Sequence, residues 1–366
     1  MERLNWHMAQ ELAKRAQVRI VGPREGFSVA PPGIPVEGVP LKPVSRFLVS
    51  AAHRAAHFAM TWKPDVVLAG SGLTAPIAWL VSRLCGARAA VYLHGLDVAA
   101  RHPLYAAGWM PFIRRMDYVI ANSEATRALA VRRGVPDKRI TIIHPGVELP
   151  ATPGTAGAGA AFRAKFGLGE GPILLSVGRL TERKGLREFV SDVLPIVCQS
   201  RPDVQLVIVG GTAGDALAAR SQSPDSILRA AEVHGLAPHI CFVGVITDVA
   251  ALAEAYQAAS IHVFPVRQIE GDPEGFGMVA IESAAHGIPT AGYATGGTRD
   301  SVAEGVSGYL APVHDAEGLA ERILRLLESP LPPQTIRTFA AGFAWPRFGE
   351  RLRALLLPDE TDHGIP

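Results

Sequence analysis

Two carboxylates, Glu274 and Glu282, stand eight residues apart in the run Glu274-Gly275-Phe276-Gly277-Met278-Val279-Ala280-Ile281-Glu282. The Gly-Phe-Gly elbow after the first reads as a turn feeding a helix that starts near Gly277. Gly275 and Gly277 permit close backbone approach and leave amide donors free, and a helix N-terminus favours an anion. Two helical turns advance about seven residues, which returns Glu282 to the face on which the helix begins. That layout suits a sugar nucleotide, with carboxylates for hydroxyls at both ends and amides for a diphosphate between them. The same residues also fit a plainer account, in which Glu274 caps the helix and Glu282 is solvated, because helix starts favour acids.

The elements around this run narrow the choice. Ile173-Leu174-Leu175-Ser176-Val177-Gly178-Arg179-Leu180 reads as a buried strand running into a loop, and Arg183-Lys184-Gly185 stands at a helix start. Val204–Gly211 is a second strand ending in glycines, and Phe242-Val243-Gly244 and Ile261–Pro265 end further strands. In the first half, strands are expected at Val18–Val21, Val66–Ala69, Ala89–Leu93, Tyr118–Ala121 and Ile140–Ile143. Helices are expected near Arg46–Thr61, Ala75–Leu84, Tyr105–Met116 and Glu124–Arg133. This alternation predicts an α/β protein with parallel, doubly wound sheets. His94 in Leu93-His94-Gly95-Leu96-Asp97 follows a buried strand at its C-terminal end, where ligands of open α/β sheets bind. Asn122-Ser123 reads as a helix cap and His144-Pro145-Gly146-Val147 as an architectural turn. Gly296-Gly297-Thr298 opens a helix near Arg299, and Glu270-Gly271-Asp272-Pro273 reads as a polar surface loop.

The order of these strands, with Glu274-x7-Glu282, the strand-end Gly178-Arg179 and Lys184 a few residues on, resembles the family 4 retaining glycosyltransferases. The resemblance covers nearly the whole chain. It implies a GT-B fold of two facing Rossmann-like domains, an N-terminal acceptor-binding domain over 1–150 and a nucleotide-sugar-binding domain over 162–342. A linker over 151–161 would join them, and a helix and tail over 343–366 would cross back. The resemblance implies a donor site of Gly178, Arg179, Lys184, Glu274, Gly275, Phe276, Gly277, Met278, Val279 and Glu282. In it Arg179 and Lys184 neutralise the diphosphate, Glu274 meets the sugar hydroxyls and Glu282 the ribose. Amides of Phe276 and Gly277 grip sugar or phosphate, and Met278 and Val279 line the pocket, although helix-core packing accounts for those two equally well. His94 would act near the reacting carbon, with Asp97 orienting it or meeting the acceptor.

The implied reaction transfers a hexose from a UDP- or GDP-sugar to a glycan, lipid-linked or small-molecule acceptor, with no cofactor and no metal. The family broadly lacks a metal at this site, so fixed cations would stabilise the leaving group. Two other readings are carried alongside it: a nucleotide-sugar 2-epimerase of the same architecture, and a nucleotide-sugar-binding protein without turnover. A nicotinamide dehydrogenase is disfavoured because neither half shows G-x-G-x-x-G after its first strand.

Composition sets the outer bounds. The 366 residues allow two domains of ordinary size, and a net charge of +2 leaves no nucleic-acid footprint. Arginine-rich clusters at Arg114-Arg115 and Arg132-Arg133 read as solvated faces, with peripheral contact to an anionic membrane as the alternative. Cys85, Cys198 and Cys241 lie in apolar stretches without metal-like spacing, which fits a reducing, cytoplasmic setting. No apolar run reaches the roughly 20 residues that span a bilayer. Met1 falls where the first helix is already under way, whereas relatives carry a strand and a Gly-rich loop before that point. The expectation is therefore an upstream start and, without that strand, a sheet lacking a central element.

Overall fold

In the computed structural model the described residues are 2–24, 32–150, 157–212 and 220–357. They form two compact units, one of Met1–Gly146 with the C-terminal segment from Ala344, the other of Val147–Phe343.

The second unit is built on one unbroken parallel sheet. Its strands are β7 (Ile173–Val177), β8 (Gln205–Val209), β9 (Ile240–Gly244), β10 (Ile261–Phe264), β11 (Thr290–Tyr293) and β12 (Gly308–Ala311), in the order β12-β11-β10-β7-β8-β9. The first strand in sequence therefore sits in the middle, paired to β8 on one side and β10 on the other. Ile173, Leu174 and Leu175 are wholly buried because helices cover both faces, which is why these strands read as continuous apolar runs. One face packs Leu174, Leu206 and Ile208 against Val190, Val197 and Ile323, and the other packs Leu175 and Val207 against Phe162 and Tyr256. The order reverses between β7 and β10, which makes their C-terminal ends the switch point where such sheets bind ligands.

The first unit uses the same parts but its sheet is interrupted. β1 (Ile20–Pro23) pairs in parallel with β2 (Val36–Val39), and a separate four-stranded sheet runs β3 (Val66–Ala69), β4 (Arg88–Leu93), β5 (Tyr118–Ala121), β6 (Ile140–Ile142). Among the described residues β1 and β3 do not pair with each other. Between them lies a cavity of about 850 Å³, lined by Val18, Ile20, Val66 and Leu68 and by Trp6 and Met8 of the helix Glu2–Ala13. Val66, Val67 and Leu68 are consequently only half-buried, although helices flank their strand. Packing is complete further along, at Ala89–Leu93 and Val119–Ala121.

Several sequence expectations change in detail. The linker expected over 151–161 is helical from Ala158, the start of the helix Ala158–Phe166, and its residues 151–156 lie outside the described ones. The helix expected over Tyr105–Met116 is two short ones, Pro103–Gly108 and Met110–Ile113, with Pro111, which has no N–H to continue the first ladder, two residues beyond the junction at Trp109. Strand β2 was not expected. The C-terminal helix, Trp345–Leu356, starts with Pro346 in its first turn, and Trp345 packs over Gly146 so closely that any Cβ there would fall 2.2 Å from its ring. That contact accounts for the glycine of the His144–Val147 turn.

Candidate functional site

The residues singled out in the second half converge on the C-terminal ends of β7 and β10. Gly178 ends β7 with φ 138°, and its amide donates to the Val209 carbonyl at 2.9 Å. The neighbouring strand end closes over it: a Cβ on Gly210 would lie 1.8 Å from the Gly178 carbonyl oxygen. A short 3-10 turn, Glu182–Lys184, follows and is ended by Gly185 in the left-handed region at φ 69°. No side chain fits at Gly185, since a Cβ would meet the Pro265 carbonyl oxygen at 2.2 Å. The turn is thereby pressed against the segment that follows β10.

Lys184 runs back over Gly178 and donates from Nζ to Glu274 Oε2 at 2.9 Å, with its ammonium 4.6 Å above the Phe264 ring. Arg183 reaches the same carboxylate oxygen through a terminal nitrogen, and its Nε donates to Asp272 Oδ1 at 3.1 Å. All four side chains are largely buried. Burial pushes the Glu274 carboxyl up, but the Lys184 and Arg183 cations outweigh it and hold it below the usual carboxylate range. Burial pushes Lys184 down, and although Glu274 opposes this, Arg183 and Arg179 add to it, leaving the amine below its ordinary value. His262, buried in β10, is driven down to about 3, first by burial and then by Lys184, so it stays neutral beneath the cluster.

Arg179, by contrast, is exposed at the rim. The structure thus pairs Lys184 with Glu274 and brings in Arg183, which sequence reasoning passed over. It also corrects the reading of Glu270–Pro273 as a plain surface loop, because Asp272 is drawn inward by Arg183.

The Gly-Phe-Gly elbow is shaped by what surrounds it. The helix spans Met278–Ala285 and its N-cap is Gly277, with φ 88° and no side-chain cap, so Glu274 does not act as the cap. A Cβ on Gly277 would meet the Phe264 ring at 2.8 Å and Ser301 Oγ at 2.9 Å. Gly296 and Gly297 lie against the Glu274–Gly275 backbone, the Gly297 amide donating to the Glu274 carbonyl at 2.9 Å. The Gly-Gly loop is therefore a close backbone neighbour of the carboxylate segment. The Phe276 side chain is buried with Val147 and Ile281, Met278 packs against the same cluster, and Val279 packs with Phe264 and Val302. The core role weighed for Met278 and Val279 is thus the one the packing displays. Glu282 sits one face along the helix, where Tyr256 Oη donates to it at 3.5 Å.

In the first unit, His94 follows β4 and is tied to backbone: its Nε2 lies 2.9 Å from the Gly70 carbonyl oxygen. A carbonyl only accepts, so Nε2 carries the proton and Nδ1 is the acceptor. Burial lowers its pKa, and Asp97 acts against that shift. Asp97 accepts from the His94 amide at 2.8 Å, fixing the loop that presents the ring. Gly72 of the neighbouring loop leaves room for Asp97 and Tyr105, each under 3 Å from where its Cβ would be. Ser123 caps its helix as expected, accepting from the Thr126 amide at 3.1 Å. Among the described residues no three His, Cys, Asp or Glu side chains gather as a metal-holding set, and no helix is long and apolar enough to cross a membrane.

This arrangement agrees with what the chain is similar to. Residues 160–341 match the family model for glycosyl transferases group 1, and residues 1–150 match that for glycosyltransferase family 4. The D-inositol 3-phosphate glycosyltransferase of Mycolicibacterium smegmatis is 32% identical over 251 residues, 68% of this chain and 54% of the relative. D-inositol 3-phosphate glycosyltransferase 1 of Catenulispora acidiphila is 30% identical over 312 residues, 80% of this chain and 71% of the relative. The chain spans just over half the length of the mycobacterial relatives it matches. Among solved structures, Anabaena HepE in complex with UDP superposes with a TM-score of 0.80 at 18% identity, covering 97% of this chain and 95% of that one. Sucrose-phosphate synthase from Thermosynechococcus elongatus gives 0.74 at 23% identity, over 95% and 90%. The fold is thus of the GT-B type, with two Rossmann-like units, and the chain belongs to family 4 of the glycosyltransferases.

Proposed function

We propose that this protein transfers a hexose from a nucleoside-diphosphate sugar to a hydroxyl acceptor, with retention at the anomeric carbon and without a metal or other cofactor. The observation that carries this reading is the buried cluster of Lys184, Arg183 and Glu274 at the β7–β10 switch point. Its cations would take the place a metal takes elsewhere, compensating the charge that develops on a departing diphosphate. Lys184, held by a single carboxylate, turns to the phosphates, and exposed Arg179 joins it from the rim. Glu274 then accepts hydrogen bonds from the sugar, and Glu282 from the ribose. His94, neutral at pH 7, lends its ring to the sugar side with Asp97 fixing its loop.

The donor is read as a UDP-sugar, with GDP-sugars the alternative. HepE has been solved with UDP and with UDP-glucose, which supports the first. The relatives' name supports a small phosphorylated cyclitol as the acceptor class. The test is incubation with UDP-glucose and GDP-mannose, with and without inositol 3-phosphate, in EDTA and in magnesium, with product anomers read by NMR. Transfer that keeps the donor's α configuration and survives EDTA supports the reading. An inverted product, or activity that returns only with metal, contradicts it.

A further inference from the structure

Arg183 is the one cation in the cluster gripped by two carboxylates. Its guanidinium bonds Asp272 through Nε and Glu274 through a terminal nitrogen, and its own carbonyl accepts from the Arg267 amide at 2.8 Å. Side chain and backbone therefore both fasten the 3-10 turn to the segment 267–274. Lys184 holds only Glu274 and rests on an aromatic face, so an incoming diphosphate can draw it away at smaller cost. Once it leaves, a buried carboxylate with no other cation would lose both its partner and its direction, which is a costly state.

Resting on the donor reading above, we propose that Arg183 is a positioning residue: it keeps Glu274 charged and aimed at the sugar after Lys184 has turned to the diphosphate, with Asp272 as its anchor. Arginine suits this task better than lysine because one planar fork reaches two carboxylates while remaining charged. Among the described residues the charges acting on Glu274 are those of Arg183 and Lys184 from the 3-10 turn, with Asp272 of its own segment on Arg183; Lys184 in turn feels Arg179 and bears on neutral His262.

The division of labour is testable by binding alone. Calorimetric affinities for UDP and UDP-glucose, measured between pH 5 and 8, isolate the contribution of the sugar as the ratio of the two. In Arg183→Gln, UDP affinity should change less than threefold, while the sugar's contribution should fall about tenfold at pH 6. Its loss on acidification should set in about one pH unit higher than in the parent, as expected when a nearby cation is removed from a buried carboxylate. Arg183→Lys should restore the pH dependence in part. Asp272→Asn keeps both cations on Glu274 but frees the guanidinium from its anchor, so the sugar's contribution should fall by less and its loss on acidification should not move to higher pH; this variant serves should Arg183→Gln fail to fold. A folded Arg183→Gln or Asp272→Asn protein with the parent's ratio at every pH would overturn the role of Arg183. If the parent binds neither UDP nor UDP-glucose, the donor reading falls first and this inference with it.

Discussion

The two units use one plan with different completeness. In Val147–Phe343 the first strand in sequence, β7, fills the middle of a six-stranded sheet, and its C-terminal end carries the charged cluster. In the other unit the corresponding middle lies open as a cavity between β1 and β3. The chemistry divides in the same way. The second unit holds paired charges in a nearly closed setting, whereas the first offers a neutral histidine tied to a carbonyl. What offsets the cost of burying those charges is their pairing; the first unit also buries a pair, Glu11 and Arg353, between its two terminal helices.

The comparison predicts its largest effect at the centre of the complete sheet. Leu175 is wholly buried in β7, so Leu175→Ala should lower unfolding free energy by about 2–5 kcal/mol in denaturant titration. A loss under 1 kcal/mol would mean that this sheet is no better packed than the other. Next in size is the charge cluster. Lys184→Ala should lower kcat at least tenfold, about 1.4 kcal/mol of barrier, with folding nearly unchanged. Undiminished turnover would remove Lys184 from the chemistry.

A third effect comes from pH. The unfolded chain protonates His262 near 6.5, but in the native state it stays neutral down to about 3. Its folded pKa is thus depressed, so stability should fall as pH drops through that window, by up to roughly 1.4 kcal/mol per pH unit from this group. Thermal unfolding of His262→Gln should show a shallower decline; an identical slope would assign the loss elsewhere. The smallest effect belongs to the interrupted sheet. Leu68 is half-buried beside the cavity, so Leu68→Ala should cost only about 1 kcal/mol. A loss as large as that of Leu175→Ala would mean the cavity does not loosen its walls.

Much of this was legible in sequence because parallel strands buried on both faces are long apolar runs. Those at Val66–Ala69 and Tyr118–Ala121 are placed to the residue, and the helix after Gly277 begins one residue on, at Met278. The rest depends on contacts that sequence spacing does not encode. Val36-Glu37-Gly38-Val39 holds only two apolar side chains, and it becomes β2 because β1 supplies a partner ladder. Arg183 carries no assignment in the sequence beyond its place at a helix start, since its carboxylates lie 89 and 91 residues away. Asp272 reads as a loop residue for the same reason. Gly296 and Gly297 gave a signal of their own, but only the backbone pressed against them shows which neighbour excludes a side chain.

The open seam beside β3 also sets how the first unit comes apart. Among the described residues no ladder joins β1 and β2 to the unit's other four strands; the pair is fastened through a small cluster of Val39, Phe47 and Ala51 with Val21 and Ile77. A few apolar contacts release at lower free energy than a continuous run of backbone hydrogen bonds, so this pair forms its own opening unit. Amide exchange should therefore run in two tiers within one domain, with Ile20–Pro23 and Val36–Val39 exchanging early and Val91–Leu93 and Val119–Ala121 late. The seam thus gives the first unit a soft margin next to a hard centre, and slow conformational motion there should concentrate in the strands on its N-terminal side.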